Sequence, residues 1–547
     1  MAKVIEIPRG KRTFRYRFFE ILPFAISVTM VALLPILSWV SSVTGAIYLL
    51  LIVVTNLVKA VGIAYHMIKG QKIVKEHSKI DWRRRCEELD SIESGIVKLD
   101  KKERNEYDLN EHFRNMQIVT RDPKNYPKYK DIWHAVIVTM YDEDYSVLDP
   151  TLQSVVNTTF DKSRMIVFLA YEERGGEEAE KVAKRIEEKY KHEFKYFRLA
   201  KHPANIPGEV IGKGGNITNA GRELQKLVEE KNINVENVIV TTLDSDNKPE
   251  KNYFDAVCYE FIIHPERQNL AYQPVSLFTN NIWDAPAVTR VVATTNSFWN
   301  LICTMRPHML RNFASHSQPL KALIDMNFWS TRTIVEDGHQ YWRSLFFFEG
   351  KYEVIPIRVP IYQDAVLSDT FLKTLKAQWI QLRRWDYGAS DVAYVADYGL
   401  SKKRKVSWLS FIPKFYRLLD GHVTLAAVAP IIMFGGWVPL LFNLESRDLL
   451  SRNLPVVVSY IQTVAALGIL VSVILSLKML PEKPANLKGR PKIVMVLQWI
   501  IAPVISVVYS SFCAFYAQGR LAFGKYMEKF DVTRKVVKQH DDPPKDS

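Results

Sequence analysis

The stretch Val238-Ile239-Val240-Thr241-Thr242-Leu243 runs straight into Asp244-Ser245-Asp246. Six apolar or β-branched residues in a row read as a strand buried on both faces, the kind found inside a parallel sheet. Ligands of such sheets bind beyond the carboxyl ends of the strands, which is where these two acids stand. Residues 135–139, 165–169 and 194–199 give the same strand signal, and 150–157, 177–191 and 219–230 carry helical patterning between them. The alternation predicts a mostly parallel sheet covered by helices on both faces. Acids follow the other strands as well: Asp142, Glu143 and Asp144 after the first, Glu172 and Glu173 after the second.

This centre is framed by apolar sequence. No Asp, Glu, Lys or Arg occurs from Ile21 to Val58, a run of 38 residues. A bilayer core takes about 20 apolar helical residues per crossing, so the run is long enough for two. The turn is expected near Pro35, Trp39 and Ser41-Ser42-Val43-Thr44-Gly45. Further charge-free stretches cover 421–444, 453–477 and 493–519. Six basic groups between Lys3 and Arg17 precede the first run, which is too long for a signal-peptide core and reads as a retained anchor. The positive-inside rule puts the charged centre in the cytoplasm of a multi-pass plasma-membrane protein. The linker from Lys478 to Lys492, with five basic residues and one acid, falls on the same side. A single crossing by 493–519 would then strand the basic tail outside, so this stretch, with Pro503 in it, is expected to be broken or a re-entrant hairpin.

The chain thus divides into a cytoplasmic N-terminus with two spans (1–68), a charged connector (69–130), an α/β domain (131–370), interfacial helices (371–410), further spans (411–519) and a basic tail (520–547). The distribution excludes an ordinary soluble enzyme, and 12% aromatic content excludes intrinsic disorder. Four cysteines without a C-x-x-C pair argue against a disulfide framework or structural zinc. The net charge of +14 fits cytoplasmic loops and anionic headgroups rather than nucleic acid, because the basic residues cluster at span ends and among acids.

Asp244 and Asp246 suit a hard divalent cation that shares its ligands with substrate phosphates. Asp142 and Asp144 form a second copy of the pattern, and either pair also reads as solvated turn acids. Ile334-Val335-Glu336-Asp337 ends another apolar patch, where an acid can serve as a general base or cap the helix through residues 340–347. Gln381-Leu382-Arg383-Arg384-Trp385 closes an amphipathic segment from Phe371. Its Trp can stack on a sugar ring and its Arg can neutralise a phosphate, while the segment also suits a membrane interface. His264, His308, His316 and His339 lack metal-ligand spacing and read as structural.

The order strand-Asp-x-Asp, Glu-Asp, Gln-x-x-Arg-Trp, framed by spans on both sides, resembles the membrane-integrated family 2 glycosyltransferases that include cellulose, chitin and hyaluronan synthases. Gly212-Lys213-Gly214-Gly215-Asn216 is similar to the family's lysine-containing loop, and Phe530-Asp531-Val532-Thr533 to a cytoplasmic tail segment of related enzymes. The resemblance implies a GT-A-like, Rossmann-like domain inserted between transmembrane helices, a nucleotide-sugar donor carrying UDP, and Mg2+ or Mn2+ as cofactor. Asp244 and Asp246 would meet nucleotide and metal, with Asp246 the direct ligand. Asp337 becomes the base of an inverting hexosyltransferase, beside Glu336. Glu143, Glu172, Glu173 and Lys213 would contact the donor, and Gln381, Arg384 and Trp385 would lie where pyrophosphate and acceptor meet. The chain departs from the family at Tyr171-Glu172-Glu173, where an Asp is usual, and at Val335, where many synthases have Thr. The acceptor would be a growing polysaccharide passed through a channel that His422, Thr424, Tyr460, Gln462, Tyr509 and Tyr516 could line, or alternatively a lipid carrier or lipid-linked glycan. A reading from another class is a transporter or sensor that binds a nucleotide without transfer.

Overall fold

The computed structural model describes residues 6–8, 10–91, 106–402, 404–443, 449–483, 491–529 and 531. Two long helices come first, α1 (Phe14–Val40) and α2 (Ser42–His77), separated by Ser41 alone. The break is local chemistry: Ser41 is extended and its hydroxyl accepts from the Thr44 amide, as an N-cap does. The helices then meet so closely that a Cβ on Gly45 would lie 2.1 Å from the Ser38 hydroxyl. Short helices α3 (Trp82–Ser91) and α4 (Leu109–Arg121) lead into the domain, and residues 92–105 between them lie outside the described residues.

The domain alternates as β1 (Trp133–Met140), α5 (Tyr145–Val156), β2 (Met165–Glu172), α6 (Gly176–Tyr190), β3 (Tyr196–His202), α7 (Lys213–Glu230) and β4 (Val238–Leu243). It continues through β5 (Lys248–Pro249), α8 (Tyr253–Ile263), β6 (Leu270–Phe278), α9 (Ala287–Met305), β7 (Ser317–Pro319), α10 (Leu320–Asp325), α11 (Glu336–Phe347) and β8 (Glu353–Gln363). One eight-stranded sheet results, in the order β3-β2-β1-β4-β7-β6-β8-β5. Its first four strands are parallel as expected. Its other half mixes antiparallel pairs at β7 and β5 with a parallel β6–β8 pair, so the sheet is less uniformly parallel than the sequence suggests. Side chains alternate across a strand, and β1 shows it. Val136, Val138 and Met140 enter the core under α5, α6 and α8, whereas Ala135 and Ile137 enter the one under α7 and α10.

Beyond the domain come α12 (Phe371–Asp386), α13 (Asp391–Gly399), α14 (Trp408–Phe434), α15 (Val438–Phe442) and α16 (Leu449–Met479). Four described helical runs are long and apolar enough to cross a membrane: Phe14–Val40, Ser42–His77, Trp408–Phe442 and Ile493–Ala522. With 31 residues at about 1.5 Å each, α16 also has the length. An α/β domain lying between apolar helices therefore stands as the sequence indicates.

Residues 493–519 lie in one irregular helical run. No loop divides Ile493–Ala522. A 3-10 turn at Gln498–Ile501 and a π segment at Ser506–Ser511 flank Pro503 instead, the irregular turns that let a helix absorb a missing N–H. Its two ends are held by different elements. Gln498 accepts from Arg290 of α9 at 2.7 Å, and Trp499 stacks on Phe298. At the other end Arg17, at the start of α1, donates to the carbonyls of Leu521 and Ala522 at 2.9 and 2.8 Å, and the Met527 amide donates to the Tyr387 hydroxyl.

Candidate functional site

Where β1, β2 and β4 end, a cavity of about 1260 Å³ opens and runs on between the apolar helices. Glu143, Glu172, Lys213, Asp244, Asp246, Asp337, Gln381, Arg384 and Trp385 all line it. Residues spread over more than 240 positions of sequence are thus brought to one wall. Glu173 and Glu336 are not on it. Glu173 is exposed and accepts from the Ala204 amide at 2.8 Å. Glu336 is 4% exposed, packed behind the wall against Gly214. The two Asp-x-Asp copies separate clearly, because Asp142 and Asp144 are exposed and do not line the cavity.

The glycine-rich stretch around Lys213 is the first turn of α7 rather than a loop, so that helix starts six residues earlier than its patterning indicates. A Cβ on Gly214 would lie 2.2 Å from the Ser330 carbonyl oxygen, so glycine lets this turn slide beneath α11. From there the Lys213 ammonium reaches Asp244 at 2.5 Å. Burial opposes its charge, yet Asp244, Glu336 and Asp337 outweigh burial and hold its pKa above the usual value. Asp246 is 3% exposed and accepts from the Asp364 amide at 2.9 Å. Asp364 follows β8 as Asp244 follows β4, and it too lines the cavity. Sequence reading missed Asp364, although the strand-then-acid signal that marks Asp244 was present at Gln363-Asp364.

Asp337 occupies the first turn of α11, where the helix dipole favours negative charge. Its Oδ1 accepts from the Gly338 amide at 2.7 Å. Burial raises its pKa above the ordinary carboxylate value, with Lys213 pulling the other way. Burial, then the charge of Asp337, raises Glu336 likewise. The helix is fixed from behind by Arg343, which donates to the Phe328 and Met326 carbonyls and pairs with Glu6 at 2.7 Å. His339 meets Asp391 at 2.6 Å, a structural role like that of His316, whose ring contacts the Phe313 carbonyl and the Trp329 indole, and of His264 on the Glu260 carbonyl. His308 departs from that reading and lines the cavity.

Along α12, Gln381 accepts from Gln378 at 3.0 Å and Arg384 donates to the Asp531 carbonyl at 3.0 Å. Arg383 pairs with the Asp531 carboxylate. Ile211 and Lys529 form a parallel bridge, so the tail is stitched to the rim of the cavity. Phe530, Val532 and Thr533 lie outside the described residues. At the end of β2, Glu172 accepts from Arg174 at 2.6 Å and contacts His202 at 3.0 Å, and His202 meets Glu209 at 3.1 Å. Burial lowers the His202 pKa, but the two glutamates outweigh it and lift the value to about 9. Of the proposed channel residues, His422 and Thr424 line the cavity while Tyr460, Tyr509 and Tyr516 do not, and the side chain of Gln462 lies outside those described.

Among the described residues no three His, Cys, Asp or Glu side chains are grouped to hold a metal unaided. Mg2+ and Mn2+ need not be held that way, since one or two carboxylates plus substrate phosphates suffice. Asp246, with Asp244 beside it, fits that shared arrangement. Asp244 is paired with the Lys213 ammonium, whereas Asp246 accepts from a neutral backbone amide, so the charge of Asp246 is the less compensated of the two.

No family model matches the chain, and no curated protein matches it. Among solved structures it is similar to the mannosyltransferase PcManGT from Pyrobaculum calidifontis in complex with GDP-Man and Mn2+, at 13% identity over 72% of this chain and 99% of that one, with TM-score 0.40. It is also similar to S. aureus TarS 1-349 in complex with UDP, at 12% identity over 63% and 90% with TM-score 0.33. A third is GalNAc-T7 with UDP, GalNAc and Mn2+, at 10% identity over 54% and 58% with TM-score 0.31. Similarities this distant do not assign a reaction to this chain.

Proposed function

We propose that the protein is a membrane-embedded GT-A-like glycosyltransferase, moving a sugar from a nucleotide donor to a hydroxyl of a glycan with inversion. The observation that carries this reading is one continuous cavity holding Lys213, Asp246, Asp337, Arg384 and Trp385 and extending to Lys59, Asp420 and Thr424 of the long helices. Strand-end carboxylates, an acid in the first turn of α11 and a Trp-Arg pair on one cavity supply the groups that glycosyl transfer needs.

The departing nucleoside diphosphate gains negative charge as the glycosidic bond breaks. A divalent cation held by Asp246 and Asp244 would stabilise that charge as a Lewis acid. Arg384 and Lys213 add fixed positive charge, worth more in a site that excludes water. Asp337 takes the proton of the attacking hydroxyl, the buried site matching its basicity to the task. Attack opposite the leaving group inverts the anomeric centre. Trp385, tilted against Phe278 with ring centroids 6.1 Å apart, offers its indole to the acceptor ring. Glu172 faces the nucleoside end, as the acid at the tip of β2.

Four long apolar helices and basic span ends support a multi-pass plasma-membrane protein with this domain in the cytoplasm. The basic residues of the tail support keeping it on that side too. Continuity of the cavity into the helices favours a polymer passed outward as it is made over a single transfer to a lipid carrier. Membrane vesicles incubated with labelled nucleotide sugars and Mg2+ or Mn2+, read for nucleotide release and product size, test this. A long polymer is expected. Short lipid-extractable product would select the lipid-carrier reading, and absence of release with every donor would overturn the transferase.

A further inference from the structure

The cavity has a second charged end. Away from Asp246 its wall is formed by the segment after α9 and by the start of α14, which contribute Arg306, Arg311, Lys414 and Arg417. The acids on this part of the wall are already engaged: Asp420 with Lys59 at 3.3 Å, and Asp391 with His339. Arg311 makes no hydrogen bond or ion pair among the described residues. It lies 4.8 Å over the Trp342 ring, and burial lowers its pKa. Its charged neighbours are Asp391 and Arg417, whereas those of Arg384 are Asp244, Glu336, Asp337 and Asp531, so the two arginines serve different parts of the cavity.

Two buried donors on the same wall are also without partners. The Asn312 amide, oriented by its oxygen accepting from the Tyr352 hydroxyl at 2.8 Å, has no acceptor for its nitrogen, and neither has the Trp342 indole N–H. Asn312 is fully buried and Trp342 is 1% exposed. Buried donors without acceptors are rare and costly, and clustered cations repel one another. An oxyanion offsets clustered positive charge and offers acceptors to such donors, and a guanidinium is the side chain that grips one through paired hydrogen bonds.

We infer that this end of the cavity binds an anionic group of the acceptor, a carboxylate or a phosphate, with Arg311 as its central ligand. The inference rests on the reading of the cavity as a glycosyl-transfer site and adds the chemical class of the acceptor. A carboxylate would belong to a uronic acid in the glycan, and a phosphate to the lipid end of a lipid-linked glycan whose sugar hydroxyl remains the nucleophile.

The test is titration of the detergent-purified full chain, without donor, against two matched pairs of probes. One pair is a hexuronate tetrasaccharide and the same oligosaccharide with its carboxyls reduced. The other is a short polyprenyl phosphate and the corresponding polyprenol. One anion is expected to bind about tenfold more tightly than its neutral counterpart. Arg311→Gln should erase that preference, Arg311→Lys should retain part of it, and both variants should bind nucleotide sugar as the parent does. Preference within the first pair identifies a glycan carboxylate, and within the second a lipid phosphate. Equal binding within both pairs, no binding of either anion, or a preference that survives Arg311→Gln overturns the inference. Failure of the parent to bind any nucleotide sugar would instead overturn the transferase reading, because the anion titration needs no donor.

Discussion

The two ends of the cavity are built from opposite charges by opposite means. At the sheet end, acids gather where strands stop, and Lys213 and Arg384 are pulled in among Glu143, Asp244, Asp246, Asp337 and Asp364. At the helix end, Arg306, Arg311, Lys414 and Arg417 gather on a loop and on the first turns of α14. Strand ends converge because the sheet aligns them, so their acids are held in register by backbone hydrogen bonds. The basic end is held by side-chain contacts such as Arg417 on the His308 carbonyl at 3.1 Å and Arg306 on His66 at 3.2 Å. A rigid end suits bond breaking, where small displacements are costly. A cationic end suits holding a substrate through charge.

The contrast can be broken at several points. Asp337→Asn should lower kcat by on the order of 10³-fold, within the range of general-base effects, while donor affinity in equilibrium binding stays intact. Near-normal turnover would remove Asp337 from the chemistry. Asp246→Asn should cost about 10²-fold and weaken the response to added Mg2+ or Mn2+ in a metal titration. Asp142→Asn, in the exposed copy of the motif, should leave both unchanged, and equal losses in the two variants would collapse the distinction drawn between them.

Lys213→Gln sharpens the comparison through pH. Asp337 acts ionised, and Lys213 lowers its pKa while burial raises it. Removing the cation therefore moves the acidic limb of kcat/KM to higher pH. A limb that stays put would show that another group sets it. The smallest expected effect is on stability. The His202 pKa rises from 6.5 to about 9 on folding, so its contribution is complete below about pH 6.5 and is lost as pH rises through about 9. Melting temperature should decline across that window and decline less in His202→Gln.

Half of the sheet was legible in the sequence and half was not, for a physical reason. β1, β2 and β4 are uninterrupted apolar runs, and each ends in acids that mark a site. β6 and β8 carry Pro274, Pro356 and Pro360, with a register shift at Pro274/Val275. Proline demotes a strand in any reading of pattern, since it cannot donate to the ladder. β5 and β7 have two and three residues, too short for a period to show. Asp337, Gln381, Arg384 and Trp385 were legible because each sits in a short motif. The basic end was not, because Arg311 and Arg417 lie about a hundred positions apart in segments that read as a loop and as a span end. Only packing of α14 against the domain joins them.

The stitch between tail and cavity has a consequence for how the protein is made. Asp531 follows its partner Arg384 by 147 residues, and synthesis runs at about 5–20 residues per second. The sheet is therefore complete for on the order of ten seconds before the segment that engages Arg383 and Arg384 leaves the ribosome, with the last apolar helices made in between. The rim of the cavity is closed only on a chain whose later apolar helices have already been made, which ties completion of the site to the synthesis of residue 531.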